Sequence, residues 1–234
     1  MTKVQAILCA ALLTWLPVRH AHAQCTTTNC GTEAQQLRGF EANLHVGAGG
    51  QINDSSTAFR NLPNAGDHTF WPGVGVQSTI GYRFLPYMSA GVHVGYQNNT
   101  TRDLLPHTTA SMANALSAGV YLRLYVGGLI PSGRLDPWVS IGVDPYAGQW
   151  ATATTVLNTT ITNRFDTVAI PLTVGIDFLA SRNLSLSVMG QAAPWIPWQA
   201  CTYGSQGGSL CTRDNLYTNL YTFAGIGGRF TSGM

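Results

Sequence analysis

Apolar residues recur at every second position over eight stretches of the chain. In the first stretch, Phe40, Ala42, Leu44, Val46 and Ala48 alternate with polar or small residues. A period of two places the apolar side chains on one face, which predicts a β-strand. The other stripes run over 74–84, 88–96, 116–126, 139–143, 168–178, 184–188 and 220–230. The pattern therefore predicts eight strands.

The connections between these strands alternate in length. Short turns at 85–87, 127–134 and 180–183 alternate with longer connections, rich in Asn, Thr, Ser and Gly, at about 51–72, 98–113, 148–164 and 195–215. Most stripes are long enough for a tilted strand to cross an outer membrane. Short turns on one side and long loops on the other are typical of outer-membrane barrels. We expect an all-β fold, an eight-stranded antiparallel up-and-down transmembrane β-barrel.

The period of two does not say whether the apolar face meets lipid or the core of a soluble barrel or sandwich. Aromatic residues near the strand ends favour lipid, because the two membrane interfaces select such girdles. On the loop side they are Trp71, Trp150, Trp195 and Trp198, and on the turn side they are Phe84, Tyr87, Trp138, Phe178 and Phe230.

The N-terminal segment favours export. An apolar run, 4–18, precedes Ala21-His22-Ala23, which has the small-x-small form of a cleavage site. The alternative, a membrane anchor, would need a longer apolar run. We expect a signal peptide at 1–23 that is cleaved after Ala23, a short periplasmic tail at 24–37, and a barrel at 38–230.

Four cysteines follow residue 23 in two close pairs, Cys25 with Cys30 and Cys201 with Cys211. An even count at short spacing in an exported chain predicts two local disulfides. A metal site is the alternative, but no histidine stands at ligand spacing near either pair. A lipid anchor on Cys25 is a further alternative, although the preceding residue is not the small one that such an anchor requires.

Charged residues make up only 9% of the chain, and Lys3 is its single lysine. Removal of Lys3 and Arg19 with the signal leaves ten arginines and ten acidic residues, so the mature chain is neutral. That excludes the basic surface of a nucleic-acid binder. His45 and His93 are candidate metal ligands, but inward histidines are more often hydrogen-bonded, and we expect no metal or cofactor.

If the apolar stripes face lipid, the polar stripes line the interior. Charges of both signs then point inward, and they include Glu41, Arg83, Arg123, Asp144, Asp177 and Arg229. Buried charges must pair to offset their desolvation, so we expect a salt-bridge network that plugs the lumen. Many inward positions are glycine, which either accommodates neighbouring large side chains or leaves a cavity. An open pore is excluded by the narrow interior of an eight-stranded barrel.

Prolines fall in the outer halves of three consecutive predicted strands, at Pro145, Pro171, Pro194 and Pro197. Each lacks the N–H group that a strand ladder uses. Either these strands stop pairing above the membrane, or the wall has a local gap that gives lipid or an apolar ligand lateral access.

The chain resembles the small outer-membrane barrel proteins of the OmpA-domain, OmpX and OmpW type over about residues 38–230. Its final stripe, 220–230, ends in Phe230 and is similar to the C-terminal signal that such proteins present to the barrel-assembly machinery, although four residues follow the Phe. The resemblance implies outer-membrane lipid and, during biogenesis, that machinery as partners.

The residues favour a role without catalysis. Ser89 and His93 share a strand face, but four residues at about 3.3 Å each separate them too far for a hydrogen bond. We expect a structural or surface-interaction role through the extracellular loops, the last of which is pinned by Cys201 and Cys211. The alternatives are a passive conduit or binder for a small hydrophobic ligand and an outer-membrane lipid-modifying enzyme.

Overall fold

The computed structural model describes residues 39–54, 68–100, 108–126, 135–155, 160–181, 183–204, 208–213 and 218–233. The strands are β1 (Gly39–Asp54), β2 (His68–Leu85), β3 (Met88–Thr100), β4 (Thr108–Tyr125), β5 (Leu135–Thr155), β6 (Thr160–Ala169), β7 (Leu172–Leu179), β8 (Leu184–Gly204), β9 (Ser209–Thr212) and β10 (Asn219–Gly233). Within these ranges no helix is long and apolar enough to cross a membrane. The predicted signal and tail, with Cys25 and Cys30, lie outside the described residues.

The strands form one antiparallel sheet whose pairings lead back to their starting point. Each strand from β1 to β5 pairs with the next, β8 pairs with β10, and β10 pairs with β1. β6 and β7 share one position in this wall, because β5 and β8 each pair with both of them in turn. The wall therefore has eight positions, and β9 is an extra short strand on β8. The predicted barrel is confirmed, with one predicted strand divided into two segments.

The two ends of the barrel differ. We call one end of the barrel the turn end, because it holds the β2–β3 turn at Pro86 and Tyr87 and the β7–β8 turn that begins at Ala180. We call the opposite end the loop end. Along each strand the side chains alternate between the outside and the interior. This alternation is the physical result of a period-two pattern on a closed wall.

The outer face is apolar and the interior is polar. Phe40, Val74, Leu186 and Ile226 are 58%, 67%, 63% and 65% exposed, and similar side chains surround the wall. Charged side chains within this apolar belt, such as that of Arg229, are buried in the interior. A water-soluble protein has the opposite distribution, whereas lipid contact stabilises this one. The apolar stripes are therefore the membrane-facing side.

Several strands extend further toward the loop end than the apolar stripes predicted. β5 and β8 have 21 residues each, against 15 in β10. The prediction of long loops was therefore wrong over much of 148–164 and 195–215. Both faces of these extensions carry polar residues, so no apolar period marks them. We call the residues 148–155, 160–166, 199–204 and 209–212 the raised sheet.

Two of the predicted interface aromatics are interior residues. Trp138 and Trp195 are only 3% and 4% exposed, so their assignment to the girdles was wrong. Each has the same strand parity as inward neighbours, Trp138 with Ser140 and Trp195 with Ala193. Other predicted girdle residues lie on the outer face, namely Phe84, Tyr87, Phe178, Trp198 and Phe230.

Candidate functional site

A cluster of charged side chains fills the lumen near the turn end. The Arg229 guanidinium lies 2.8 Å from Asp177 Oδ2, 3.4 Å from Asp136 Oδ2 and 3.8 Å from Glu41 Oε1. Arg83 Nη1 lies 2.9 Å from Asp136 Oδ2 and 4.0 Å from Glu41 Oε1. We call these five residues the ion cluster; each is at most 7% exposed.

The ion cluster joins distant parts of the wall. Its members come from β1, β2, β5, β7 and β10, so the paired charges span the interior. Arg83 also donates from Nε to the Pro86 carbonyl oxygen at 2.9 Å, and from Nη2 to the same oxygen. The lumen is therefore occupied by side chains at this level. Asp136 was missing from the predicted network, although its position relative to Ser140 gives it the inward parity.

Aromatic side chains surround the remaining interior arginine. The Arg123 guanidinium carbon lies 4.0 Å from the centroid of the Trp138 ring, and Nη1 donates to the Tyr125 hydroxyl at 3.4 Å. That hydroxyl donates in turn to Glu41 Oε2 at 2.6 Å. No carboxylate of the described residues lies within ion-pair distance of Arg123. Arg123 is therefore stabilised mainly by stacking against rings.

Asp144 lies apart from the ion cluster, toward the loop end. Its Oδ1 is 2.6 Å from Nε2 of His93, and both side chains are buried. The two residues come from β5 and β3 and meet across β4, where Gly119 stands between them. A Cβ at Gly119 would meet the Asp144 carboxylate, so the glycine allows this contact. Of the six residues predicted to form one network, the structure brings four together in the ion cluster, namely Glu41, Arg83, Asp177 and Arg229. Arg123 lies beside the cluster, and Asp144 lies apart from it.

Interior glycines leave space for large side chains from other strands. A Cβ at Gly81 would overlap the Tyr121 hydroxyl, and a Cβ at Gly175 would overlap the Trp138 indole. Each glycine leaves room for a ring from another strand, that of Trp138 from the adjacent strand and that of Tyr121 from the strand beyond the adjacent one. Of the two alternatives left open by the sequence, accommodation of large side chains therefore applies here.

Replacing Gly175 with valine tests this packing. We expect the free energy of unfolding to fall by about 1–3 kcal/mol, because the Trp138 ring must leave the space beside Gly175. The matched control is Gly190→Val on β8, where a Cβ would meet nothing within 4 Å; there we expect a change within about 0.5 kcal/mol. Urea titration of the folded protein in detergent micelles measures both, and equal losses in the two variants would contradict this packing.

A cavity occupies the loop half of the lumen. Its volume, measured as the space open to the centres of water molecules, is about 40 Å³, and its lining includes Gln77, Ser117, Asp144, Gln191, Trp195 and Phe223. Toward the loop end it meets a hydrogen-bonded roof, in which Gln51 Oε1 accepts from Gln149 Nε2 at 2.5 Å and from the Tyr221 hydroxyl at 2.9 Å. The Trp195 and Tyr221 rings stack with centroids 4.0 Å apart. The interior therefore has a charged turn half and a largely uncharged loop half.

The four prolines mark irregular places in a wall that stays joined. β6 ends at Ala169 and β7 begins at Leu172, on either side of Ile170 and Pro171. The Gly142 N–H donates to the Pro171 carbonyl oxygen at 2.8 Å, and the Ile170 N–H donates to that of Pro194 at 3.2 Å. The register also shifts beside Pro145 and Pro197. We call this region the proline seam.

The raised sheet contains a disulfide. Cys201 of β8 and Cys211 of β9 are direct cross-strand partners, and a disulfide joins them. In the part of the chain that the structure describes, no group of three or more His, Cys, Asp or Glu residues could hold a metal ion.

A closed antiparallel wall with an apolar outer face and a polar interior defines the class of transmembrane β-barrels, and the fold is that of the small outer-membrane members of this class. No protein-family model and no curated protein matches the chain. Among solved structures, it is similar to a major outer membrane protein from Thermus thermophilus, with a TM-score of 0.56, 12% identity, and coverage of 82% of this chain and 99% of that one.

Two further solved structures are similar at a lower TM-score. Neisserial surface protein A has a TM-score of 0.49 and 11% identity, with 82% of this chain and 97% of that chain covered. The outer membrane protein OprG from Pseudomonas aeruginosa has a TM-score of 0.48 and 11% identity, with 85% and 100% covered. The closed wall and the similarity to the Thermus thermophilus protein confirm, at the level of the fold, the expected resemblance to small outer-membrane barrels.

Proposed function

We propose that the protein is a non-enzymatic barrel of the outer membrane that makes contacts at the outer cell face through the raised sheet. The observation that carries the proposal is the continuation of β5, β6 and β8 past the apolar belt as paired strands. Strands of about ten residues already span the bilayer, so these extensions are not needed for crossing it. They provide an ordered surface outside the membrane.

Side-chain bonds support a rigid raised sheet. Thr202 Oγ1 donates to Asn163 Oδ1 at 2.8 Å, joining β8 to β6. The hydroxyls of Thr152 and Thr162 lie 3.3 Å apart and join β5 to β6. The disulfide fixes the last pair of strands, β8 and β9. A surface that is already ordered loses less entropy on binding a partner than a mobile loop does.

The filled lumen favours a role in contacts at the cell surface over a role in transport. The ion cluster closes the turn half with charges that are paired and buried, and moving them apart would leave uncompensated charges in the interior. Among the described interior residues, the Ser89 hydroxyl lies 3.5 Å from the Tyr125 hydroxyl, while His93 contacts Asp144. This arrangement offers no serine activated by a histidine, which supports a role without catalysis.

Comparison of cells that carry the wild-type protein with cells that carry the Cys201→Ser/Cys211→Ser variant tests the proposed function. Attachment to other cells and to protein-coated surfaces is measured beside uptake of small solutes. We expect attachment to fall and solute uptake to stay unchanged, because only the outer surface is altered. Changed uptake with unchanged attachment would show a conduit instead.

The same variant has a direct structural effect. In the chain-entropy model a disulfide that closes so short a loop stabilises by about 2–3 kcal/mol, so its loss should raise the open population of the β8–β9 hairpin roughly 30- to 150-fold. We expect faster cleavage by chymotrypsin at Tyr203, with the barrel still folded. The wild-type protein treated with a reductant is the control and should match the variant. Unchanged cleavage would mean that the disulfide does not hold the hairpin.

A small hydrophobic ligand with lateral access is the second candidate function, and the proline seam is the observation that favours it. The ligand would pass through the wall where β6 ends and β7 begins. This route requires the hydrogen bonds of Gly142 and Ile170 to open in the folded protein. Hydrogen exchange measures that opening: rapid exchange confined to the seam favours the conduit, and full protection removes it.

The proposal includes cleavage of a signal peptide during export and recognition of the last strand during assembly. Residues 1–23 are removed after Ala23, and N-terminal sequencing of the mature protein should begin at Gln24. β10 continues through Phe230 to Gly233, with the Phe230 ring 50% exposed on the outer face. This strand would be the element that the barrel-assembly machinery receives.

A further inference from the structure

The cavity in the loop half of the lumen contains a buried hydrogen-bond acceptor without a partner. Gln77 is 7% exposed, its side chain lines the cavity, and its Oε1 has no hydrogen-bond partner among the described residues. A buried carbonyl oxygen without a partner costs free energy unless water or a ligand donates to it. The cavity therefore presents an acceptor that an N–H group would satisfy.

The charge of the cavity also favours a ligand with N–H donors. Among the described residues that line the cavity, Asp144 alone is charged, and none of the interior arginines is among them. The His93 Nε2 atom lies 2.6 Å from the Asp144 Oδ1 atom. A buried negative charge is stabilised by a cation or by hydrogen-bond donors, and an anionic or purely apolar ligand supplies neither.

Aromatic rings complete the lining. The cavity wall includes Trp195, which stacks on Tyr221, and Phe223. Aromatic faces attract ammonium groups, most strongly where water is excluded, and they also accept the alkyl part of an organic cation. A carboxylate, an unpartnered amide oxygen and aromatic rings thus converge on one space.

We propose that this cavity is a binding site for a small organic ammonium ion. The ammonium group binds between the Asp144 carboxylate and Gln77 Oε1, and the alkyl part packs against Trp195 and Phe223. The ion cluster closes the turn half, so the ligand enters from the loop end past the roof of Gln51, Gln149 and Tyr221. The site is separate from the raised sheet, and it holds whether or not that sheet contacts other cells.

The test is a titration of the folded protein, in uncharged detergent micelles, with n-butylammonium and with 1-butanol, which has a similar shape and no charge. Ligand saturation-transfer NMR detects weak binding of both. We expect butylammonium to bind at least about tenfold more tightly than 1-butanol, since a hydrogen bond to a buried charge has roughly that effect. Equal affinities, or no binding of butylammonium, would overturn the proposal, and the second result would mean that the cavity holds only water.

Two charge-neutralising variants locate the site. We expect Asp144→Asn to weaken butylammonium binding by about tenfold or more, while the matched variant Asp166→Asn on the raised sheet changes it less than about twofold. Unchanged binding in Asp144→Asn, or equal losses in both variants, would overturn the proposal. The folded state of each is checked by its mobility shift on boiling. If Asp144→Asn does not fold, the comparison of the ammonium ion with the alcohol on the wild-type protein decides.

Discussion

Replacing Arg229 with methionine is expected to lower the free energy of unfolding by about 3–5 kcal/mol. Arg229 lies within 4 Å of three buried carboxylates, those of Glu41, Asp136 and Asp177. Methionine fills much of the same volume but carries no charge, so Glu41 and Asp136 would keep Arg83 within ion-pair distance and Asp177 would lose the arginine that it pairs with. The loss comes from the uncompensated charges rather than from a cavity.

The control for this prediction is Arg164→Met on the raised sheet. Arg164 also pairs with a carboxylate, at 2.9 Å from Asp166, but its side chain is 46% exposed and water screens the pair. We expect a loss of only about 0–1 kcal/mol there. Both variants are measured by denaturant titration in the same lipid vesicles. Losses of similar size in the two would mean that the ion cluster contributes no more than a surface pair.

Replacing Val120 with arginine is expected to destabilise the protein by about 2–4 kcal/mol in a bilayer. Val120 is 57% exposed and lies near the centre of the apolar outer face of β4. In the proposed orientation its side chain meets the hydrocarbon core, where a guanidinium must be pulled toward the interface. In water an arginine at an exposed position would have almost no effect.

Leu210→Arg provides the matched control for the lipid face. Leu210 is an exposed apolar residue of β9, 78% exposed, but it stands on the raised sheet beyond the apolar belt. We expect its replacement to change the free energy of unfolding by less than about 0.5 kcal/mol. Refolding into lipid vesicles measures the two variants side by side. An equally small effect at Val120 would place that face in water.

The barrel itself was predictable because one physical rule governs most of the wall. Lipid on one side and a packed polar interior on the other impose a period of two, and Phe40 to Ala48 already carry that signal. The rule fails where lipid contact ends. Thr152 and Thr162 lie in extensions of β5 and β6 that carry no apolar stripe, so the raised sheet could not be distinguished from a loop.

The partners within the lumen were harder to predict. The alternation identified inward charges such as Asp144 and Asp177, but it does not say which residues of different strands reach the same level. The strand pairing puts Asp177 beside Arg229 and puts Asp144 beside His93. Asp136 was missed because Pro137 interrupts the stripe before Val139, although its parity was readable. The break at Ile170 and Pro171 divides a stripe that is continuous in hydropathy.

The most direct test of a plugged barrel in the outer membrane is membrane fractionation followed by a gel of boiled and unboiled samples in detergent. We predict that the protein fractionates with the outer membrane and that boiling changes its mobility, because a closed sheet resists detergent until it is heated. A protein found in the soluble fraction, with the same mobility in both samples, would contradict the account.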